Sequence, residues 1–251
     1  MVFCCLLFLG CAKEEKKSEI ISDNSCLQEA IDNGKVFYEG ERKMLWGGDN
    51  PDWHFDITGW SLRECRLHFG FGREVFDALI DPQYKTVEEE IDRYEPSDQF
   101  VIVLTSDKPK VYYIPLLSHH EVINENIDGT PVMVVYCSLA DLAAVYNRRY
   151  CDTTFTFALS GYTYYDPGIW DGADAFVLWD RETESLWWPL IDEAVSGDMN
   201  GVSMKKYKQN FWWRITWGEI LKDYPDALVL ATGQTMNPPD DWPHYGDVNC
   251  N

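Results

Sequence analysis

The chain lacks a run of apolar residues long enough to cross a bilayer at its start. The N-terminal stretch MVFCCLLFLG, residues 1–10, falls well short of the roughly 20 apolar residues that a spanning helix needs. The chain is also poor in positive charge. It has 21 Lys and Arg against 42 Asp and Glu, a net charge of −21. That excludes the basic face that nucleic-acid binding requires, and it opposes direct adsorption to anionic lipid headgroups. Acidity alone does not make a calcium site, and no D-x-[DN]-x-[DN]-G loop is present. G-x-S-x-G is absent too: Ala158 and Leu159 precede Ser160, which argues against a hydrolase nucleophile elbow. There is no internal repeat, and no linker interrupts Lys35 to Ala231, so that span reads as one globular domain.

What the first residues do provide is an address. A short apolar run ending in Phe8-Leu9-Gly10-Cys11 has the pattern of a cleaved secretory signal. It resembles a bacterial lipoprotein box in which Cys11 becomes the acylated N-terminus. Residues 11–34 then read as lipidated cysteine and flexible tether, since Lys13-Glu14-Glu15-Lys16-Lys17 cannot bury enough surface to order itself. This charged start is similar to the surface-export signal of Bacteroidetes lipoproteins. The expected location is the cell envelope: a lipid anchor in the outer membrane, with surface display.

Eight cysteines bear on that location. Cys4 and Cys5 leave with the signal and Cys11 is acylated. Cys26, Cys65, Cys137, Cys151 and Cys250 remain, an odd number, so at least one is free or bonded outside the chain. Cys26 with Cys65 and Cys137 with Cys151 are both open as bridges, because an exported compartment permits disulfides; spacing does not choose between pairings.

The periodicity predicts an α+β fold, a strand-rich single domain of antiparallel hairpins with three or four short helices. FVIVLT (100–105) and PVMVVYC (131–137) are continuous apolar runs bounded by turn residues, as buried strands are. Three S/T-x-x-E capping boxes, at Ser61–Glu64, Thr86–Glu89 and Thr216–Glu219, each predict a helix start. After the third, Trp217, Ile220, Leu221 and Tyr224 share one face. Asp180-Arg181-Glu182-Thr183 is the expected turn of a hairpin. Residues 232–251, rich in Pro and Asp, read as a loose tail.

The candidate chemistry is concentrated between Val111 and Trp188. His120 and Glu121 precede PVMVVYC across a turn, and a hairpin-like return would bring His120 toward Cys137. A histidine beside a cysteine can lower the thiol pKa or share a metal with it. The plain alternative is a hydrogen-bonded core histidine and a cysteine packed as a small hydrophobe. Ser160-Gly161 reads as a turn. Asp180 and Arg181 read as a local ion pair and Asx-turn, or as polar contacts for a ligand. Trp187 and Trp188 point to opposite faces of a strand, so one is expected in the core and one on the surface, free to stack on a sugar or peptide. Trp212 and Trp213 invite the same idea, with core packing as the plain reading.

These motifs occur in a familiar order. YYIPLLSHHEVINENIDGTPVMVVYCSL, TFTFALSGYTYYD, LWDRETESLWW and W-x-E-I-L-x-x-Y-P-D-A-L-V-L, preceded by GFGREVFDALIDPQY, resemble the bacterial family known as domain of unknown function 3179, over about residues 70–230. The resemblance implies no activity. It does expose a departure, because family members commonly carry Y-C-P-L-C-G where this chain has Tyr136-Cys137-Ser138-Leu139-Ala140-Asp141. With Ala140 in the second position, this pair can neither cycle as a dithiol nor supply two thiolates to a metal.

Two functions follow as expectations. The first is an exported lipoprotein that binds a ligand or partner, or serves as a structural envelope component, with no cofactor. Its partners would be the membrane, through the lipid anchor, and an unidentified surface ligand. The second is a redox or hydrolytic site built from His120, Glu121 and Cys137, with a transition metal on His120 and Cys137.

Overall fold

The computed structural model describes residues 24–235. Residues 1–23 and 236–251, on which the expected leader, the expected acylation of Cys11, most of the expected tether and the expected C-terminal tail fall, lie outside the described residues.

Three five-stranded sheets are stacked, and the two long apolar runs explain the stacking. In Thr130–Cys137, Met133, Val135 and Cys137 face one core while Val132, Val134 and Tyr136 face another. In Gln99–Val103, Val101 and Val103 join that second core, and Phe100 and Ile102 face a third. Strands buried on both faces read as unbroken apolar runs, because alternation still operates but neither side meets water.

The central sheet orders its strands Lys205–Lys206, Leu142–Asn147, Thr130–Cys137, Val122–Ile127 and Leu79–Ile80. On one side packs the sheet of Glu193–Ala194, Leu186–Trp188, Ala175–Asp180, Phe157–Tyr164 and Leu67–Phe69. On the other lies the sheet of Trp212–Thr216, Gln99–Val103, Lys110–Tyr113, Leu228–Leu230 and Tyr84–Thr86. Pairing is antiparallel except where Leu79–Ile80 meets Val122–Ile127 and where Leu228–Leu230 meets Lys110–Tyr113. Buried Asn124 ties two sheets together: its amide donates to the Phe157 carbonyl at 2.8 Å and accepts from the Phe157 N–H at 2.9 Å. Among the described residues, a three-stranded sheet, a two-stranded sheet and three short helices, α1 (Asn24–Asp32), α2 (Ile114–His120) and α3 (Trp217–Asp223), accompany these layers. The fold is therefore α+β and strand-rich.

The capping boxes divide three ways. Thr216–Glu219 forms both reciprocal bonds and opens α3. At Thr86–Glu89 the bonds also form, at 2.7 and 3.2 Å, but only the 3₁₀ turn Glu88–Glu90 follows. The helix expected to start at Ser61–Glu64 is absent, and only the 3₁₀ turn Glu64–Arg66 follows. Ser61 Oγ donates to the Val195 carbonyl at 3.4 Å, and Glu64 is taken by Lys43. Both capping side chains are thus committed elsewhere, while Cys65 is bonded to Cys26 and the chain after one 3₁₀ turn joins the sheet edge at Tyr162–Tyr164.

The cysteines resolve as follows. Cys26–Cys65 is a disulfide. Cys151 is also disulfide-bonded, and its partner lies outside the described residues. Cys137 is a buried free thiol. A Cys137–Cys151 bridge is therefore ruled out.

Trp187 and Trp188 are both fully buried, contrary to the expected division between core and surface. Their strand lies inside the sheet and both of its faces are covered: Trp187 packs on Tyr150 and Phe157, Trp188 on Tyr164.

Candidate functional site

Glu121 occupies the residue that ends α2. It caps the helix with a left-handed backbone, φ 59°, and its N–H donates to the Leu117 carbonyl at 2.5 Å. Glycine is the usual residue there, because a side chain strains that conformation. The strand that follows pairs with Thr130–Cys137 in the register Val122↔Val135, and the Tyr136 N–H donates to the Glu121 carbonyl at 3.1 Å. This register sets Glu121 opposite Tyr136, one residue before Cys137, and near enough for its charge to act on the thiol.

Glu121 lines a cavity of about 190 Å³. The rest of its wall is mostly apolar: Phe71, Phe76, Tyr162 and Phe176 supply rings, Leu139 and Leu159 aliphatic surface. Phe71 and Leu139 are exposed at its mouth. Among the described residues, no side chain donates to or ion-pairs with the Glu121 carboxylate. Burial alone pushes its carboxyl up to about 7, since a charged carboxylate loses hydration that nothing replaces. Burial also pushes the Cys137 thiol above its usual range; the neighbouring Glu121 charge adds to this, while N–H groups of Ala140 and Phe176 oppose it. A raised thiol is the reverse of an activated nucleophile.

The cavity exists because of Ser160-Gly161. This pair is not a turn. It sits inside the Phe157–Tyr164 strand, at a register break between Leu159 and Thr163, and such a bulge kinks a strand and leaves backbone unpaired. The freed Gly161 carbonyl accepts from the N–H groups of Gly70 and Phe71 at 3.0 and 3.2 Å, and the Leu159 carbonyl accepts from Glu74 N–H at 3.0 Å. The 70–76 loop is thereby fixed against the strand and forms a cavity wall. Gly161 has φ 86°, and a Cβ there would stand 2.0 Å from the Phe71 carbonyl oxygen. Ser160 Oγ donates to the Val177 carbonyl at 2.6 Å, which leaves it buried and occupied.

Asp180 and Arg181 serve the same wall rather than each other. Asp180 accepts from the Thr183 N–H at 2.6 Å and from Trp187 Nε1 at 2.7 Å, a turn contact three residues on rather than the two of an Asx-turn. Arg181 instead reaches back to Glu74, with Nε donating to Oε1 at 2.8 Å. Arg73 pairs with Glu184 at 2.8 Å and lies over the rings of Phe55 and Trp179. Two ion pairs from one hairpin turn therefore hold the loop in place.

His120 is turned elsewhere. Its Nδ1 lies 2.8 Å from the Asp77 carbonyl, and it lines a separate recess with His119, Asp77 and Gln234. Burial holds its imidazole below the usual value. The structure thus brings Glu121, not His120, to Cys137. Among the described residues, no cluster of three or more His, Cys, Asp or Glu is arranged to hold a metal. Trp212 and Trp213, both half-buried, line a larger open groove of about 880 Å³ with Lys206, Lys208 and Asn210.

The motifs that converge on the small cavity are those that carry the resemblance, and a family model agrees. The described match is Protein of unknown function (DUF3179), over residues 74–246. The chain belongs to this family. No curated protein and no solved structure matches it. In this DUF3179 member the missed site residues are Phe71 and Phe76 in GFGREVF, Tyr162 in SGY, and Phe176 just before LWDRETESLWW. Their signal was present, but as side chains from three separate stretches they are not linked by any spacing.

Proposed function

We propose that the protein is an exported, lipid-anchored binding protein, which holds a small, largely apolar molecule in the cavity beside Glu121. One observation carries the reading: an unpaired, half-buried carboxylate in a cavity otherwise walled by rings and aliphatic groups. Binding sites combine mostly apolar lining with a few placed polar groups, and a buried polar group without a partner is costly unless a ligand satisfies it. Export and anchoring through Cys11 are supported by the lipoprotein-like start and by the bonded state of Cys26, Cys65 and Cys151, since such bridges persist in oxidising compartments.

The test is calorimetric and thermal-shift titration of the full chain with one-ring compounds. Saturable binding that a bulky Leu159→Trp substitution blocks is the expected result. A protein whose melting point and heats respond to none of them would sink the reading.

A further inference from the structure

We infer that the ligand of the Glu121 cavity is a cation, a small alkyl- or arylalkyl-ammonium whose charged head meets the Glu121 carboxylate and whose apolar body lies among Phe71, Phe76, Tyr162 and Phe176. The inference rests on the binding reading above and adds the ligand's charge.

Glu121 is an exception among the acids of this fold. The fully buried ones all have donors: Glu74 has Arg181, Glu64 has Lys43, Glu90 has Lys85, and Glu125 has Lys110 with two tyrosines. Asp166, Asp180 and Glu182 accept backbone N–H groups. Among the described residues no side chain donates to the half-buried Glu121 carboxylate, and no Lys, Arg or His lines its cavity. A positively charged partner for it therefore comes from outside the cavity wall.

Its sign follows from what surrounds the carboxylate. Aromatic rings present a negative face and attract ammonium groups, most strongly where water is excluded. The chain carries a net charge of −21, a field that draws cations toward the surface and repels anions. An anionic ligand would meet the rings, the carboxylate and the field, all unfavourable. A neutral carbonyl ligand would use only a protonated Glu121 and gain nothing from the other two.

Size bounds the ligand. An apolar cavity of about 150 Å³ holds benzene, so about 190 Å³ admits one ring or a short branched chain with its ammonium group.

The experiment is isothermal titration of the full chain at pH 8 with three probes of one shape: benzylamine, benzyl alcohol and phenylacetate. The expected result is benzylamine bound at least about tenfold more tightly than benzyl alcohol, with phenylacetate weakest. Benzylamine affinity should fall by about tenfold at pH 5.5 and by a similar factor in Glu121→Gln, while benzyl alcohol is unaffected by that substitution. Equal affinity for benzylamine and benzyl alcohol would overturn the cation inference and leave the binding reading standing. Benzylamine binding that is indifferent to Glu121→Gln would mark attraction to the acidic surface and also overturn it. Binding of no probe to a protein with a normal unfolding transition would overturn both. The comparison of probes needs only the unsubstituted chain, so a failure of Glu121→Gln to fold does not spoil it.

Discussion

Replacing Glu121 with glycine should make the protein more stable and unable to bind. Two terms add. The first is backbone strain, since a left-handed non-glycine residue costs about 1–2 kcal/mol, offset by about 0.5–1 kcal/mol for the greater freedom of glycine when unfolded. The second is the carboxylate. Its folded value of about 7 against an ordinary 4.5 amounts to about 3 kcal/mol of penalty on the ionised form; partial exposure brings this nearer 2 kcal/mol. At pH 8 the substitution should therefore add about 2–3 kcal/mol. The pH dependence has a definite sign. Between about 4.5 and 7 the folded protein keeps the proton that the unfolded chain releases, so the stabilisation is complete below 4.5 and is lost as pH rises through 7. Glu121→Gly at pH 4 should then show only the small backbone term. Glu121→Gln should keep the strain but flatten the pH curve. The flattening is partial, because Asp180, also pushed up to about 7 by burial, contributes with the same sign. Urea unfolding at pH 4 and pH 8 measures all of this. A Glu121→Gly protein that is less stable than the parent at pH 8 would refute the reasoning, by showing that the carboxylate has a partner in the fold.

Gly161→Ala should destabilise by about 3 kcal/mol or more and abolish ligand binding, since the new Cβ meets the Phe71 carbonyl and the 70–76 loop must lift; unfolding and titration check both. Arg181→Ala leaves Glu74 buried without its hydrogen-bonding partner and with only the charge of Arg73 nearby, so a loss of about 3 kcal/mol is expected, with much of it recovered in Arg181→Met/Glu74→Leu; chemical denaturation of the three proteins reads it directly. Cys26→Ser with Cys65→Ser opens a bridge of sequence separation 39 and should lower stability by about 4 kcal/mol on the chain-entropy estimate, seen as an earlier urea midpoint.

The parts of the fold legible in the sequence are those where one local rule is decisive. PVMVVYC and FVIVLT are strands covered on both faces and read so; the Thr216–Glu219 box opens α3 because nothing competes for either side chain. Ser61–Glu64 has the same spacing, but Val195 and Lys43 claim its side chains from distant parts of the chain, and no local pattern reports that. Trp187 and Trp188 alternate as a strand requires, yet alternation does not say whether a second layer covers the outer face. The site was half legible. Glu121 and Cys137 were named, but His120 was expected as the neighbour of Cys137, because the left-handed turn at Glu121 that sends the two side chains to different cavities has no signature when the residue is not glycine. Ser160-Gly161 looked like a turn because glycine marks bulges and turns alike. Arg181 found Glu74 rather than Asp180, a pairing across more than a hundred residues.

The measurement that bears most directly on the account is carbon NMR of the full chain labelled at its glutamate carboxyls, titrated with and without benzylamine. The account predicts one carboxyl that titrates near 7, is missing from Glu121→Gln, and moves to lower pH when the amine is added. A Glu121 carboxyl that titrates among the ordinary glutamates and ignores the amine would contradict it, because the carboxylate would then be solvated like the others and the cavity would not bind the amine.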